Sequence, residues 1–105
     1  LLPDLGMTEA EQMPLGKYGL LRQRYLEENR PGLYTRLMLS GKLMEHLQEI
    51  EQTAQNRLES LMNELTKQAG VTEALKARDQ MTWVQSMNAL QTQAEEMILS
   101  ELIYA

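Results

Sequence analysis

Residues 43–73 read LMEHLQEIEQTAQNRLESLMNELTKQAGVTE, and this stretch decides the fold. Leu43, Leu47, Ile50, Ala54, Leu58, Leu61, Leu65 and Ala69 recur in steps of 4-3-4-4-3-4-4. Apolar residues three and four apart share one face of an α-helix, so the spacing predicts a helix over 42–69 with one apolar stripe. The steps are closer to an eleven-residue than to a seven-residue repeat, which keeps the stripe on one side of a nearly straight helix. Gly70 then reads as the C-terminal cap, with apolar Val71 behind it. Thr72 is a good N-cap, and Glu73 suits the positive end of the next helix dipole.

That next helix is predicted over 72–103. Its stripe is Trp83, Met87, Leu90, Ala94, Ile98 and Leu102, widened by Val84 and Met97, and Leu99 and Ile103 add a second apolar side near the end. At 1.5 Å per residue the two long helices would each reach roughly 40–48 Å. A Gly-Val-Thr turn between them requires an antiparallel pair. On the other side of residue 42, Tyr18, Leu21 and Tyr25 predict a helix over 17–29, which Pro31 ends because a residue before proline avoids the α region. Pro31 suits the first turn of a short helix over 32–40, with Leu33, Tyr34, Leu37 and Met38 on its apolar side and a turn at Gly41. Residues 1–16 are punctuated by Pro3, Gly6, Pro14 and Gly16 and read as a flexible arm. The capping-box spacing of Thr8 and Glu11 is cut short by Pro14. Alternating β-branched runs, the signal of strands, are missing. The expectation is an all-α chain, with residues 17–105 as a single helical domain. It would be a long antiparallel hairpin carrying two shorter N-terminal helices, completing a four-helix bundle as a homodimer.

The chain has 105 residues, eight methionines, no phenylalanine and no cysteine. Leu and Met must fill the core, and Met adapts to irregular gaps of the kind found at interfaces. Lack of cysteine rules out disulfides, Cys-rich zinc sites and a thiol nucleophile. It also suits a reducing cytosol. No apolar run reaches the roughly 18 residues of a membrane span, and the N-terminus lacks signal-peptide regions. The expected location is cytoplasmic, with no membrane contact. The net charge of −5 is unevenly spread. Residues 17–42 carry six basic and two acidic side chains, a net +4, whereas residues 43–105 carry four basic and ten acidic ones, a net −6.

Few side chains invite chemistry. His46, the only histidine, neighbours Glu45 and Glu49, but a carboxylate-bridged bundle site needs a matching set on facing helices. Glu27-Glu28 and Glu95-Glu96 would need an enclosed cleft to separate their pKa values for acid–base work. The sequence therefore predicts no catalytic, cofactor-binding or metal-ligating residue, and no enzyme. Two surfaces remain as candidates. Lys17, Arg22, Arg24, Arg30, Arg36 and Lys42 could meet nucleic-acid phosphates. Against that, the chain is acidic overall, and 32–40 offers few polar groups to read base edges. Trp83, Met87, Leu90, Met97, Ile98 and Leu102 form a candidate protein interface.

Several segments are specific enough to suggest a family. They are the run from Arg30-Pro31-Gly32-Leu33-Tyr34-Thr35-Arg36 through Leu37-Met38-Leu39-Ser40-Gly41-Lys42-Leu43, then Gly70-Val71-Thr72-Glu73-Ala74-Leu75-Lys76, Asp79-Gln80-Met81 and Glu95-Glu96-Met97. From about Tyr18 to the end the chain resembles the small transposon-encoded proteins called TnpV. The resemblance implies a mobile element of a Gram-positive bacterium as genomic context, and it brings no catalytic residues. It implies no established biochemical activity; the expected hairpin, the Met-rich core and the acidic outer face predict a non-catalytic accessory protein acting through contacts with itself or with an element-encoded protein partner. The alternative is a DNA-binding accessory factor using the basic first two helices.

Overall fold

The computed structural model describes residues 15–105, and the expected arm over 1–16 lies almost wholly outside them. Among the described residues all regular structure is helical, with five α-helices and a terminal π-helical turn. In chain order these are α1 (Lys17–Asn29), α2 (Pro31–Leu39), α3 (Leu43–Ala69), α4 (Glu73–Arg78), α5 (Gln80–Ile98) and the π turn Leu99–Ile103. The chain divides into two compact units: the first ends at Thr53 and includes Tyr104, and the second comprises Ala54–Ile103 with Ala105. The boundary falls inside the unbroken helix α3.

In the first unit, the line of α1 that is buried is Tyr18, Arg22 and Leu26. The expected face of Tyr18, Leu21 and Tyr25 is thus rotated, with Leu21 and Tyr25 left half-buried. Leu26 and Leu47 are fully buried, and each such leucine contributes roughly 1.5–3 kcal/mol. α1 opens without a side-chain cap of its own and without an acid in its first turn. Glu51 of α3 takes that role, its Oε1 accepting from the Gly19 amide at 2.8 Å. A carboxylate at this position satisfies an orphan amide and complements the dipole. Gly19 also permits close approach, because a Cβ there would stand 3.2 Å from the Leu47 carbonyl oxygen. Tyr104 rejoins this unit, its ring centroid 5.4 Å from that of Tyr25.

Two helix ends use the same device. At the end of α2 the Lys42 amide donates to Leu37 O and the Gly41 amide to Met38 O; at the end of α3 the Val71 amide donates to Thr66 O and the Gly70 amide to Lys67 O. These paired bonds are the Schellman arrangement, and it needs a left-handed residue. Gly41 has φ 75° and Gly70 φ 71°. Val71 is buried behind the second turn.

In the second unit Leu61 and Ala54 of α3 are buried, as are Val71, Ala94, Ile98 and Ile103. Together with Leu47, the deepest positions of α3 lie seven residues apart, flanked by half-buried Leu43, Ile50, Leu58 and Leu65. Met62 and Thr66 line a depression of about 250 Å³ with Trp83 and Met87. Further along, Arg57 Nε lies 3.2 Å from Glu101 Oε2.

The predicted continuous helix over 72–103 is corrected at two places. Thr72 caps α4, accepting from the Leu75 amide at 3.2 Å, but α4 stops after Arg78. Asp79 adopts φ −148°, ψ 85° and serves both helices. Its amide donates to Leu75 O at 2.7 Å, and its Oδ1 accepts from the Thr82 amide at 3.2 Å. The Thr82 hydroxyl donates to Asp79 Oδ2 at 2.7 Å. Aspartate competes with helical bonding by binding nearby amides, and here it starts a new helix instead of continuing the old one. Lys76 Nζ spans the break, 4.6 Å from the centroid of the Trp83 ring. The second correction is the widening of the last turn, Leu99–Ile103, to π geometry.

Candidate functional site

The six basic residues expected to share one surface do not. Arg22 is buried, with 8% of its surface exposed. It lies on the inward line of α1 between Tyr18 and Leu26, and its Nε donates to His46 Nε2 at 3.3 Å. The guanidinium also stands 5.7 Å from the centroid of the Tyr25 ring. Burial, opposed by Tyr25 and assisted by Arg30, lowers the pKa of Arg22 from its ordinary value. Its place is inside the first unit, so phosphate contact is left to the others. Sequence reasoning missed this because i, i+4 spacing with Tyr18 and Leu26 was the signal, and a charged residue in an apolar line reads as an interruption.

His46 is the partner of that arginine. An imidazole nitrogen that accepts from guanidinium must be unprotonated, so the bond fixes His46 as neutral with its proton on Nδ1. Burial first, and then the positive charge of Arg22, lower the His46 pKa below 6.5, while Glu49 acts in the opposite direction. His46 lines a shallow depression of about 250 Å³ with Leu37, Lys42, Glu45 and Glu49. Among the described residues no group of three or more His, Cys, Asp or Glu side chains is placed to hold a metal ion.

Lys17, Arg24, Arg30, Arg36 and Lys42 are exposed. Their surroundings differ. Lys17 lies over the Tyr18 ring at 5.7 Å from its centroid. Arg24 shares a depression of about 350 Å³ with Leu20, Gln23, Glu27 and Glu28. Lys42 sits with Glu45 and Glu49, as above. Arg30 is the N-cap residue of α2 and Arg36 lies in its last turn, and no residue of that helix is buried.

The expected apolar interface also divides. Ile98 is fully buried within the chain, so it belongs to the core and leaves the candidate surface. Trp83, Met87, Leu90, Met97 and Leu102 are half-buried. Met81 is 68% exposed and Val84 is exposed beside them, and α2 exposes Met38 and Leu39.

The profile described as transposon-encoded protein TnpV matches residues 1–103. The chain belongs to the TnpV family. The match extends to the N-terminal side of the likeness that begins at Tyr18, so the TnpV pattern includes the residues before α1. No curated protein and no solved structure matches this TnpV-family chain. No helix among its described residues is long and apolar enough to cross a membrane.

Proposed function

We propose that this chain is a non-catalytic helical interaction protein of its transposon, acting in the cytoplasm as a homodimer. The observation that carries the reading is the set of large apolar side chains left on helix surfaces: Leu20, Met38, Leu39, Met81 and Val84. Such surface, placed on regular helices and not in a cleft, suits partner helices better than a small substrate. The order of contacts in the second unit supports an antiparallel hairpin. Trp83 and Met87 share a depression with Met62 and Thr66 near the turn, and Glu101 reaches Arg57 farther from it. The half-buried side of α5, from Trp83 to Met97, supports closure of a four-helix bundle by a second copy. Equilibrium sedimentation tests this: a dimer is expected, reduced to monomer by M81E with V84E, and a wild-type monomer at high micromolar concentration sinks the dimer. Co-purification from cells carrying the element tests the interaction role, with an element-encoded protein expected in the complex.

The second reading is a DNA-binding accessory factor. It is favoured by the exposed cations Lys17, Arg24, Arg30, Arg36 and Lys42 and weakened by the burial of Arg22. Anisotropy of labelled transposon-end DNA against random DNA across a salt series tests it. End-selective, salt-sensitive binding supports the DNA reading, and no binding at low salt removes it.

A further inference from the structure

α1 is fastened to α3 by bonds that both helices must supply. It opens without a side-chain cap of its own, and Glu51 of α3 accepts from its Gly19 amide at 2.8 Å. One turn on, buried Arg22 donates through Nε to His46 Nε2 of α3 at 3.3 Å. Another turn on, Leu26 is fully buried, as is Leu47 of α3. A free helix of 13 residues is marginal in water. If α1 leaves α3, it therefore loses its cap, its arginine bond and its helicity together.

The middle fastening works in one protonation state only. His46 Nε2 accepts, so it carries no proton. A proton arriving there removes the acceptor and sets an imidazolium against a guanidinium. Charged groups reach this contact from every neighbouring element. α1 brings Arg22, with the Tyr25 ring beside it, and Arg30, between α1 and α2, adds to the positive potential at Arg22. Lys42, from the turn before α3, and Glu45 and Glu49 of α3 line the depression beside the imidazole. Glu49 favours the proton, whereas burial and Arg22 oppose it and prevail. A state in which His46 is back in water takes up the proton more readily, so acid populates that state at the expense of the closed one.

We infer that the Arg22–His46 bond is a proton-operated latch: proton uptake by the imidazole frees α1 from α3 and melts it, while α5 in the second unit keeps its structure. The direction of release follows from what each helix depends on. α3 runs for 27 residues and closes with its own turn at Gly70, whereas α1 has neither that length nor a cap. Release exposes the Tyr18–Arg22–Leu26 line and returns Arg22 to solvent, where it adds to the exposed cations of the basic segment.

The test is peptide-resolved hydrogen exchange of the full chain at pH 7.5 and 5.5, corrected for the intrinsic pH dependence of exchange. Emission of Trp83, the single tryptophan, monitors the second unit. With an open-state histidine titrating at its ordinary 6.5, protection across 17–29 is expected to fall about tenfold between those two pH values. Protection across 80–98 and the Trp83 emission are expected to hold. H46Q, whose amide oxygen accepts from Arg22 at either pH, should keep α1 protected at both. R22M fills the buried line without a cation, and its fall should be smaller than the parent's. Four outcomes overturn the latch. Equal protection of 17–29 at both pH values means that the imidazolium turns toward Glu49 with α1 in place. A parallel fall across 80–98 means global unfolding. A full response in H46Q puts the titrating group elsewhere, the Glu51 carboxylate first. A full response in R22M removes the arginine from the device.

Discussion

Gly70 and His46 show the two ways a single residue is constrained in this chain. Gly70 is held by its own backbone: at φ 71° a Cβ costs roughly 1–2 kcal/mol, although nothing crowds the site. Gly70→Ala is therefore expected to lower stability in urea denaturation by about 1 kcal/mol. Its role is legible in the sequence, because a Schellman turn is encoded within six residues. His46 is held by Arg22, 24 residues away, and no local pattern announces that contact. Its pH dependence has a definite sign. Burial and Arg22 depress the folded pKa below 6.5, so the unfolded chain binds the proton more readily. The contribution is whole above pH 6.5 and is lost as pH falls through the lower folded value. Unfolding midpoints measured from pH 7.5 to 5 should fall on acidification, and His46→Gln should flatten that slope. Equal slopes in both proteins would remove His46 as the titrating group.

Elements obey local rules where start and stop signals are strong. The helix over 42–69 was legible from its apolar steps, and Thr72 from its place behind Gly-Val. Asp79 was legible in principle and overlooked for a physical reason. Projected back from Trp83, helical spacing meets Asp79 or Gln80 before it reaches Leu75, so the apolar stripe lapses at the break, and the strong start signal at Thr72 hides that lapse. The signal is Asp79 three residues before Thr82, whose amide and hydroxyl both reach the carboxylate. Those bonds hold the Asp79 pKa below its ordinary value, with the Thr82 hydroxyl the larger cause. Asp79→Ala removes the cap and leaves alanine, a strong helix former, at the break. Amide hydrogen exchange at Thr82 and Trp83 is expected to accelerate in this variant. Unchanged protection there would mean that α5 starts without help from Asp79.

At the scale of the whole molecule the sequence says least about surfaces. Net charge is read directly, but the even-looking basic set from Lys17 to Lys42 separates once folded. One arginine is inside, Lys17 lies over the Tyr18 ring, two cations stand among carboxylates, and Arg30 and Arg36 belong to the cap and last turn of α2. Which apolar residues of the 72–103 stripe face inward was likewise hidden, because the π turn leaves Leu102 half-buried and puts Ile103 in the core after Ala94 and Ile98. That turn has a consequence for chain length. Ile98 and Ile103 are both fully buried yet five residues apart, which in an α-helix is about 140° of rotation. The i→i+5 turn of Leu99–Ile103 brings them toward one side by accommodating one residue more than an α-helix needs. Four residues in α geometry would do the same work as five in π geometry. The segment is thus a point inside a helix where the gene can lose one codon without scrambling the residues beyond it. A chain lacking Ser100 should keep Tyr104 against Tyr25 and melt within a few degrees of its parent, whereas the same deletion at Gln91 should not be tolerated.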